Sequence, residues 1–290
     1  MKTPICTGVC TALVTPFLNG EVNYPLAERL LSRQIEAEIP AVVLAGTTGE
    51  APTLTDKEKI TLFGRCKTYA GNACKIIAGT GSNSTAHAVE LSKAAEAVGA
   101  DALLVVSPYY NKATPEGMVA HYLSIAHAVD IPLIIYNVPS RTGVDIPVSV
   151  YAQLAHHPNI AGVKEASANI TKITAIRAAC GEDFAIWSGN DDQIVPVTSL
   201  GGKGIISVLS NVLPKETLAM TNAALRGDYA TASQMQCNLL PLINLLFSEV
   251  NPIPVKAAMS CIGYDCGGCR LPLTDMTREN LEKLRAYFPQ

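Results

Sequence analysis

Ile160-Ala161-Gly162-Val163-Lys164-Glu165-Ala166 carries the most informative pattern in the chain. It is a short apolar run, and alternation with a period of two sets Ile160, Gly162 and Lys164 on one face of a predicted buried strand. An ammonium is costly to place there. A free lysine amine, with a reference pKa of about 10.4, is neutral in only about one molecule in a few thousand at pH 7. Burial and neighbouring positive charge favour the neutral nucleophile. Lys164 is therefore read as a nucleophile; the plainer alternative is a lysine snorkelling out of the strand end or paired with Glu165.

Outward from this run, seven more β-rich segments share its form. They are Val9 to Thr15, Ala41 to Gly46, Lys75 to Gly79, Ala102 to Ser107, Leu133 to Asn137, Phe184 to Ser188 and Gly204 to Ser207, with Ile160 to Glu165 as the sixth of eight. Helix-like apolar spacing fills intervals such as Tyr24 to Ala37, Asp56 to Tyr69, Ser84 to Val98, Pro115 to Val129 and Lys215 to Leu225. Strands alternating with helices at this cadence predict a parallel sheet, and eight units predict a closed (β/α)8 TIM barrel, an α/β fold, over residues 1–227. Beyond it the pattern turns helical only, at Asp228 to Phe247, Pro254 to Ile262 and Thr277 to Tyr287, which predicts a C-terminal helical extension over 228–290, outside the barrel. Thr55-Asp56-Lys57-Glu58 carries a capping-box signature, and Gly99 closes the helix that begins near Ser84.

Composition bounds the function. The 290 residues are 48% hydrophobic, enough for a full core, and the formal net charge is -3. No run of Lys or Arg offers a stripe for phosphate backbones, so a nucleic-acid partner is not expected. Met1-Lys2-Thr3-Pro4 leads into a strand-like segment without a leader, and no apolar stretch is long enough to span a bilayer, so a cytoplasmic protein with no membrane partner is expected. Nine cysteines fit reduced thiols. Cys261, Cys266 and Cys269 are spaced like part of a zinc site, but a fourth ligand is missing and no histidine follows, so no metal is assigned. Gly201-Gly202-Lys203-Gly204 lacks Walker spacing and Gly79-Thr80-Gly81 is too short for a dinucleotide fingerprint, so no cofactor is assigned. Lys256, near a helix start, is expected to face solvent or a carboxylate.

In a barrel of this kind the site lies where the strands end. The second strand ends in Gly46-Thr47-Thr48-Gly49-Glu50, the fourth in Ser107-Pro108-Tyr109-Tyr110, the fifth in Tyr136-Asn137-Val138-Pro139-Ser140-Arg141-Thr142-Gly143, the sixth in Lys164 and the seventh in Ser188-Gly189-Asn190-Asp191. This inventory suits Schiff-base chemistry on an α-keto acid. The Lys164 amine attacks the ketone, and the iminium acts as an electron sink that turns the adjacent methyl into an enamine nucleophile. Thr47 and Thr48 supply short neutral donors for the keto-acid carboxylate, Tyr136 a phenol for proton transfer, and Arg141 a bidentate partner for a second carboxylate.

At these residues the chain resembles the dihydrodipicolinate synthase family of pyruvate-dependent class I aldolases. The resemblance runs from Gly8-Val9-Cys10-Thr11-Ala12-Leu13-Val14-Thr15-Pro16-Phe17 to Asn251-Pro252-Ile253-Pro254-Val255-Lys256 and Arg270-Leu271-Pro272-Leu273. It implies a Schiff base between Lys164 and pyruvate and a proton relay of Thr47, Tyr110 and Tyr136, with Tyr110 reaching into the neighbouring subunit's site. It further implies that Arg141 receives the carboxylate of L-aspartate 4-semialdehyde and that backbone groups around Gly189 and Ile206 line the pocket. The implied product is 4-hydroxy-tetrahydrodipicolinate, on the route to diaminopimelate and lysine, and the implied assembly is a homotetramer, a dimer of tight dimers. A lyase of the same superfamily that cleaves N-acetylneuraminate or 2-keto-3-deoxygluconate is the alternative, and Arg141 argues against it. A non-catalytic keto-acid sensor would keep the pocket but lose the relay, which this chain retains.

One departure concerns regulation. Lysine-inhibited members bind feedback lysine in a cleft at the tight dimer interface through a serine, histidines and a glutamate. The matching positions here carry Ala51, Asp56, Lys59 and His87, which predicts little or no inhibition by lysine.

Overall fold

The computed structural model describes residues 3–288. The leaderless start read at Met1 and Lys2, and Pro289 and Gln290 of the expected extension, lie outside those residues. Eight parallel strands close into a barrel: β1 (Gly8–Ala12), β2 (Ala41–Leu44), β3 (Lys75–Gly79), β4 (Ala102–Val106), β5 (Leu133–Asn137), β6 (Ile160–Glu165), β7 (Ala185–Ser188) and β8 (Gly204–Ser207). Each strand pairs with its neighbours in sequence, and β1 pairs with both β2 and β8, so the sheet has no open edge. This is the (β/α)8 architecture.

Period-two alternation sorts the side chains into two layers. Cys10, Val43, Ile77, Leu104, Ile134, Trp187 and Ile206 fill the barrel interior. Val9, Val42, Ile76, Leu103, Ile135, Val163 and Ile205 belong to the larger core between barrel and helices. The expectation that Ile160 shares a face with Gly162 and Lys164 is corrected. The β5–β6 register runs Leu133 to Ile160 and then Ile134 to Gly162, so Ala161 is an extra residue in a bulge. Ile160 therefore packs in the outer core, while Gly162 and Lys164 sit opposite the inward-facing Ile134 and Tyr136. Gly162 is needed for close approach: a Cβ there would fall 1.9 Å from the Ala185 carbonyl oxygen.

Helices between the strands start where the chain carries caps. Thr55 Oγ1 accepts from Glu58 N at 3.2 Å while Glu58 Oε2 accepts from Thr55 N at 2.8 Å, which completes the capping box before the helix Asp56–Ala70. Phe17–Leu18 and Glu21–Val22 form a small hairpin that the strand pattern did not reveal, being too short for alternation. After β8 come the helices Pro214–Leu225, Tyr229–Leu246, Ile253–Cys261 and Arg278–Tyr287.

Candidate active site

The loop after β2 brings backbone and hydroxyls to the mouth of the barrel. Ala45 (φ 49°) and Glu50 (φ 56°) both hold the left-handed conformation that non-glycine residues rarely adopt. The bend passes directly over β3, where a Cβ on Gly79 would meet the Ala45 carbonyl oxygen at 2.1 Å. Thr15 Oγ1 donates to Gly49 O at 2.7 Å and Glu50 N to Thr47 O at 3.1 Å. Thr48 is buried, and its hydroxyl accepts from Asn251 Nδ2 at 3.0 Å.

Glu50 anchors this loop from below. Its side chain is fully enclosed; Oε1 accepts from Lys256 Nζ at 2.8 Å and Oε2 from Arg270 N at 3.0 Å. Lys256 also donates to Gly268 O at 2.8 Å, and its ammonium lies 4.2 Å from the centre of the Phe17 ring. Of the two surroundings expected for Lys256, the carboxylate is the one found. Neither Glu50 nor Asn251 carried an assigned role on sequence grounds, because the partners of their side chains lie 203 to 220 residues away along the chain.

Lys164 is 5% exposed and points into the barrel. Its Nζ lies 4.4 Å from the centre of the Tyr136 ring, and among the described residues no carboxylate comes within 4.0 Å of it. Glu165, the alternative partner, faces the opposite side of β6. There its carboxylate accepts from Asn137 Nδ2 at 2.9 and 3.0 Å, from Ser167 N at 2.8 Å and from Tyr151 Oη at 3.3 Å, with Lys172 Nζ at 3.9 Å. Lys172 also pairs with Asp145, which accepts from Asn137. Burial, then the Glu165 charge, push the Tyr151 phenol pKa well up, so Tyr151 is a committed donor. Asp191 is buried after β7, its carboxylate receiving Ser207 Oγ at 2.5 Å and the Val208 and Leu209 amides at 2.9 and 3.1 Å. Desolvation raises its pKa, against the pull of those donors and of Lys164.

A cavity of about 350 Å³ opens at the strand ends, and Thr47, Tyr136 and Arg141 all line it. Lys164 borders it only through the Tyr136 ring, and Thr48, Gly189 and Ile206 lie outside its lining. Gly189 N donates to Glu165 O at 2.7 Å, and Ile206 is wholly buried in the barrel interior. Arg141 sits in the one-turn helix Pro139–Thr142, exposed, with Nη2 3.4 Å from Asn251 O. Tyr110 is 85% exposed with φ 71° and stands clear of the cavity. Among the described residues no hydrogen bond links Thr47, Tyr136 and Tyr110, so one chain does not close the expected relay. A larger cavity of about 830 Å³ lies away from the mouth, between the C-terminal helices, lined by Cys261, Cys269 and Arg285 among others. All nine cysteines are unpaired.

Against known families, residues 5–290 match the Dihydrodipicolinate synthetase family. The chain belongs to that family. Within the dihydrodipicolinate synthetase family it is 47% identical over 285 residues to the 4-hydroxy-tetrahydrodipicolinate synthase of Acetivibrio thermocellus, covering 98% of this chain and 97% of that one. The dihydrodipicolinate synthase of Aquifex aeolicus superimposes with a TM-score of 0.95 at 44% identity, over 97% of this chain and 96% of the other. The enzyme from Cyanidioschyzon merolae, solved with lysine bound, gives 0.95 at 42% identity over 98% and 97%.

Proposed function

We propose that this chain catalyses the 4-hydroxy-tetrahydrodipicolinate synthase reaction, joining pyruvate to L-aspartate 4-semialdehyde on the route to diaminopimelate and lysine. The observation that carries the reading is the Lys164 amine, enclosed in the barrel against Tyr136 and free of any carboxylate partner within 4.0 Å among the described residues. The relatives named for this reaction, matched across nearly their full length, support it.

In the mechanism, the neutral Lys164 amine adds to the pyruvate ketone carbon, and loss of water gives the iminium. The iminium withdraws electrons from the neighbouring methyl, which gives up a proton and becomes an enamine. Its terminal carbon attacks the aldehyde of the semialdehyde, forming the carbon–carbon bond and regenerating an iminium. The amino group of the second substrate then displaces Lys164, which closes the ring and frees the enzyme. Tyr136 carries the protons, with Thr47 and Tyr110 completing the relay. Tyr110, exposed in one chain, is supplied by a second copy, which fits a homotetramer built from tight dimers. Thr48, oriented by Asn251, joins Thr47 in holding the pyruvate carboxylate, with Gly189 and Ile206 bordering it, while Arg141 takes the carboxylate of the semialdehyde.

We take 1–227 as the catalytic barrel and 228–290 as an extension that braces it through Asn251, Lys256 and Arg270. Among the described residues no helix is long and apolar enough to cross a membrane, in keeping with a cytoplasmic enzyme, and the mechanism calls for no cofactor. A coupled assay with pyruvate and semialdehyde, run on wild type and Arg141→Ala, tests the assignment. Turnover by the wild type is expected, with Arg141→Ala damaging use of the semialdehyde far more than imine formation. Release of pyruvate from sugar acids with no turnover of the semialdehyde would replace this reading by the lyase one.

A further inference from the structure

Asn251 lies just before the helix Ile253–Cys261, in the C-terminal extension, yet its amide is buried against the mouth loop. Nδ2 donates to Thr48 Oγ1 at 3.0 Å. Both residues are enclosed, Asn251 at 5% and Thr48 at 2% exposed. Asn251 Oδ1 is buried and has no hydrogen-bond partner among the described residues, so the amide is held there by its donor alone. The contact that Asn251 makes with Arg141 uses the main-chain oxygen. It does not depend on the side chain, so substitutions at 251 read the Thr48 contact.

A threonine hydroxyl has one proton to give and two lone pairs with which to receive. Thr48 Oγ1 receives from Asn251, and among the described residues nothing accepts its proton. A buried O–H without an acceptor is unfavourable, and a carboxylate, which only accepts, completes it where another donor could not. Thr47, one residue earlier, lines the cavity, so the unspent proton lies close to the cavity wall. We infer that Asn251 is a positioning residue that sets the polarity of Thr48: by donating to the hydroxyl, it leaves the hydroxyl to donate to the carboxylate of pyruvate. The inference deepens the reading of Thr48 given above and rests on it. An amide turned the other way, with Oδ1 taking the Thr48 proton, would make the hydroxyl an acceptor and set it against an anion.

Asn251→Asp is the deciding variant. It has nearly the shape of asparagine, so a purely structural role makes it milder than Asn251→Ala. An ionised carboxylate accepts and never donates, so the polarity role makes it worse. Borohydride trapping over a range of pyruvate concentrations, at about pH 8 to keep the aspartate ionised, gives the half-saturating pyruvate for wild type and each variant. Thermal melts establish that each variant is folded. Asn251→Ala is expected to raise the half-saturating concentration about fivefold, because the hydroxyl then turns freely, and Asn251→Asp about tenfold further. Repulsion between two carboxylates is separated in the Thr48→Val background, where the gap between Asn251→Asp and Asn251→Ala should close to within about twofold. If capture there is too weak to titrate, methyl pyruvate is trapped with Thr48 in place. The ester accepts a hydrogen bond without carrying charge, so Asn251→Asp should still weaken its capture relative to Asn251→Ala. Should Asn251→Asp not fold, Asn251→Leu replaces it; close to asparagine in shape and unable to donate, it should match Asn251→Ala, whereas a structural role makes it milder. The inference is overturned by an Asn251→Asp as mild as Asn251→Ala, by an undiminished gap in the Thr48→Val background, or by an ester indifferent to the change. Capture needs pyruvate alone, so failure to turn over the semialdehyde removes the synthase reading and leaves this test standing. No capture by wild type overturns both.

Discussion

Tyr136 and Lys164 are register partners on β5 and β6, and the lysine Nζ lies 4.4 Å from the centre of the tyrosine ring. The next pair along the same two strands, Asn137 and Glu165, faces outward and is joined by two hydrogen bonds. The polar pair thus sits behind the sheet at the same register that presents the amine and the phenol inside it.

Lys164→Ala should abolish covalent capture of pyruvate. Borohydride reduction in the presence of pyruvate is expected to add a lactyl-sized mass to wild type and nothing to the variant. Tyr136→Phe keeps the ring against Lys164 and removes only the hydroxyl, so kcat should fall roughly a hundredfold or more while the protein stays folded. A variant with unchanged kcat would remove Tyr136 from the proton path.

Lysine should inhibit weakly. Asp56 is already engaged by His87 at 2.8 Å and Lys59 at 3.7 Å, and the added cation repels a cationic effector. Strong inhibition in a titration at submillimolar lysine would contradict this, whatever the relative from Cyanidioschyzon merolae binds.

The Glu50–Lys256 pair should be costly to break one side at a time. Both side chains are almost wholly buried, so Glu50→Ala or Lys256→Ala each leaves an uncompensated charge, at a cost of roughly 3–5 kcal/mol. Replacing both, as Glu50→Ala with Lys256→Ala, should cost less than the sum of the two single changes in urea unfolding. Additive effects would mean that the two residues do not act as a pair.

Acid should loosen the strap around Arg270. Its guanidinium grips Glu58 through two nitrogens, at 3.0 and 2.5 Å, and also donates to Gly20 O and Thr53 O. Hydrogen bonding to Arg270 is the main reason that the Glu58 pKa is lowered from 4.5 to about 2. A carboxylate whose folded pKa is depressed stabilises the protein above its unfolded pKa, and that contribution is lost as the pH falls towards the folded value. Stability should therefore decline from pH 4.5 to about 2, and Glu58→Gln should flatten that part of the profile. A profile identical to wild type would show that the strap contributes nothing there.

Much of the barrel was legible because each strand is a local apolar run closed by turn residues. Lys75–Gly79, Leu133–Asn137, Ile160–Glu165 and Gly204–Ser207 agree with the sequence reading residue for residue. The second strand stops at Leu44 instead of Gly46 because Ala45 turns into the left-handed region to start the mouth loop. The bulge at Ala161 could not be read, since Ile160 is apolar and suits either layer. Tyr136 and Arg141 were picked out as strand-end residues and do share a cavity. Tyr110 was picked out with them, yet one chain leaves it in solvent.

Alternation of strand and helix, the division into eight units and the strand that carries Lys164 all follow from short-range periodicity and are legible along the chain. Long-range packing alone sets that Lys256 and Arg270 hold Glu50 and that Asn251 reaches both Thr48 and Arg141. Those contacts join residues up to 220 positions apart. Chain periodicity records which face of a strand or helix is buried, and the closing of the barrel chooses what each buried polar group meets.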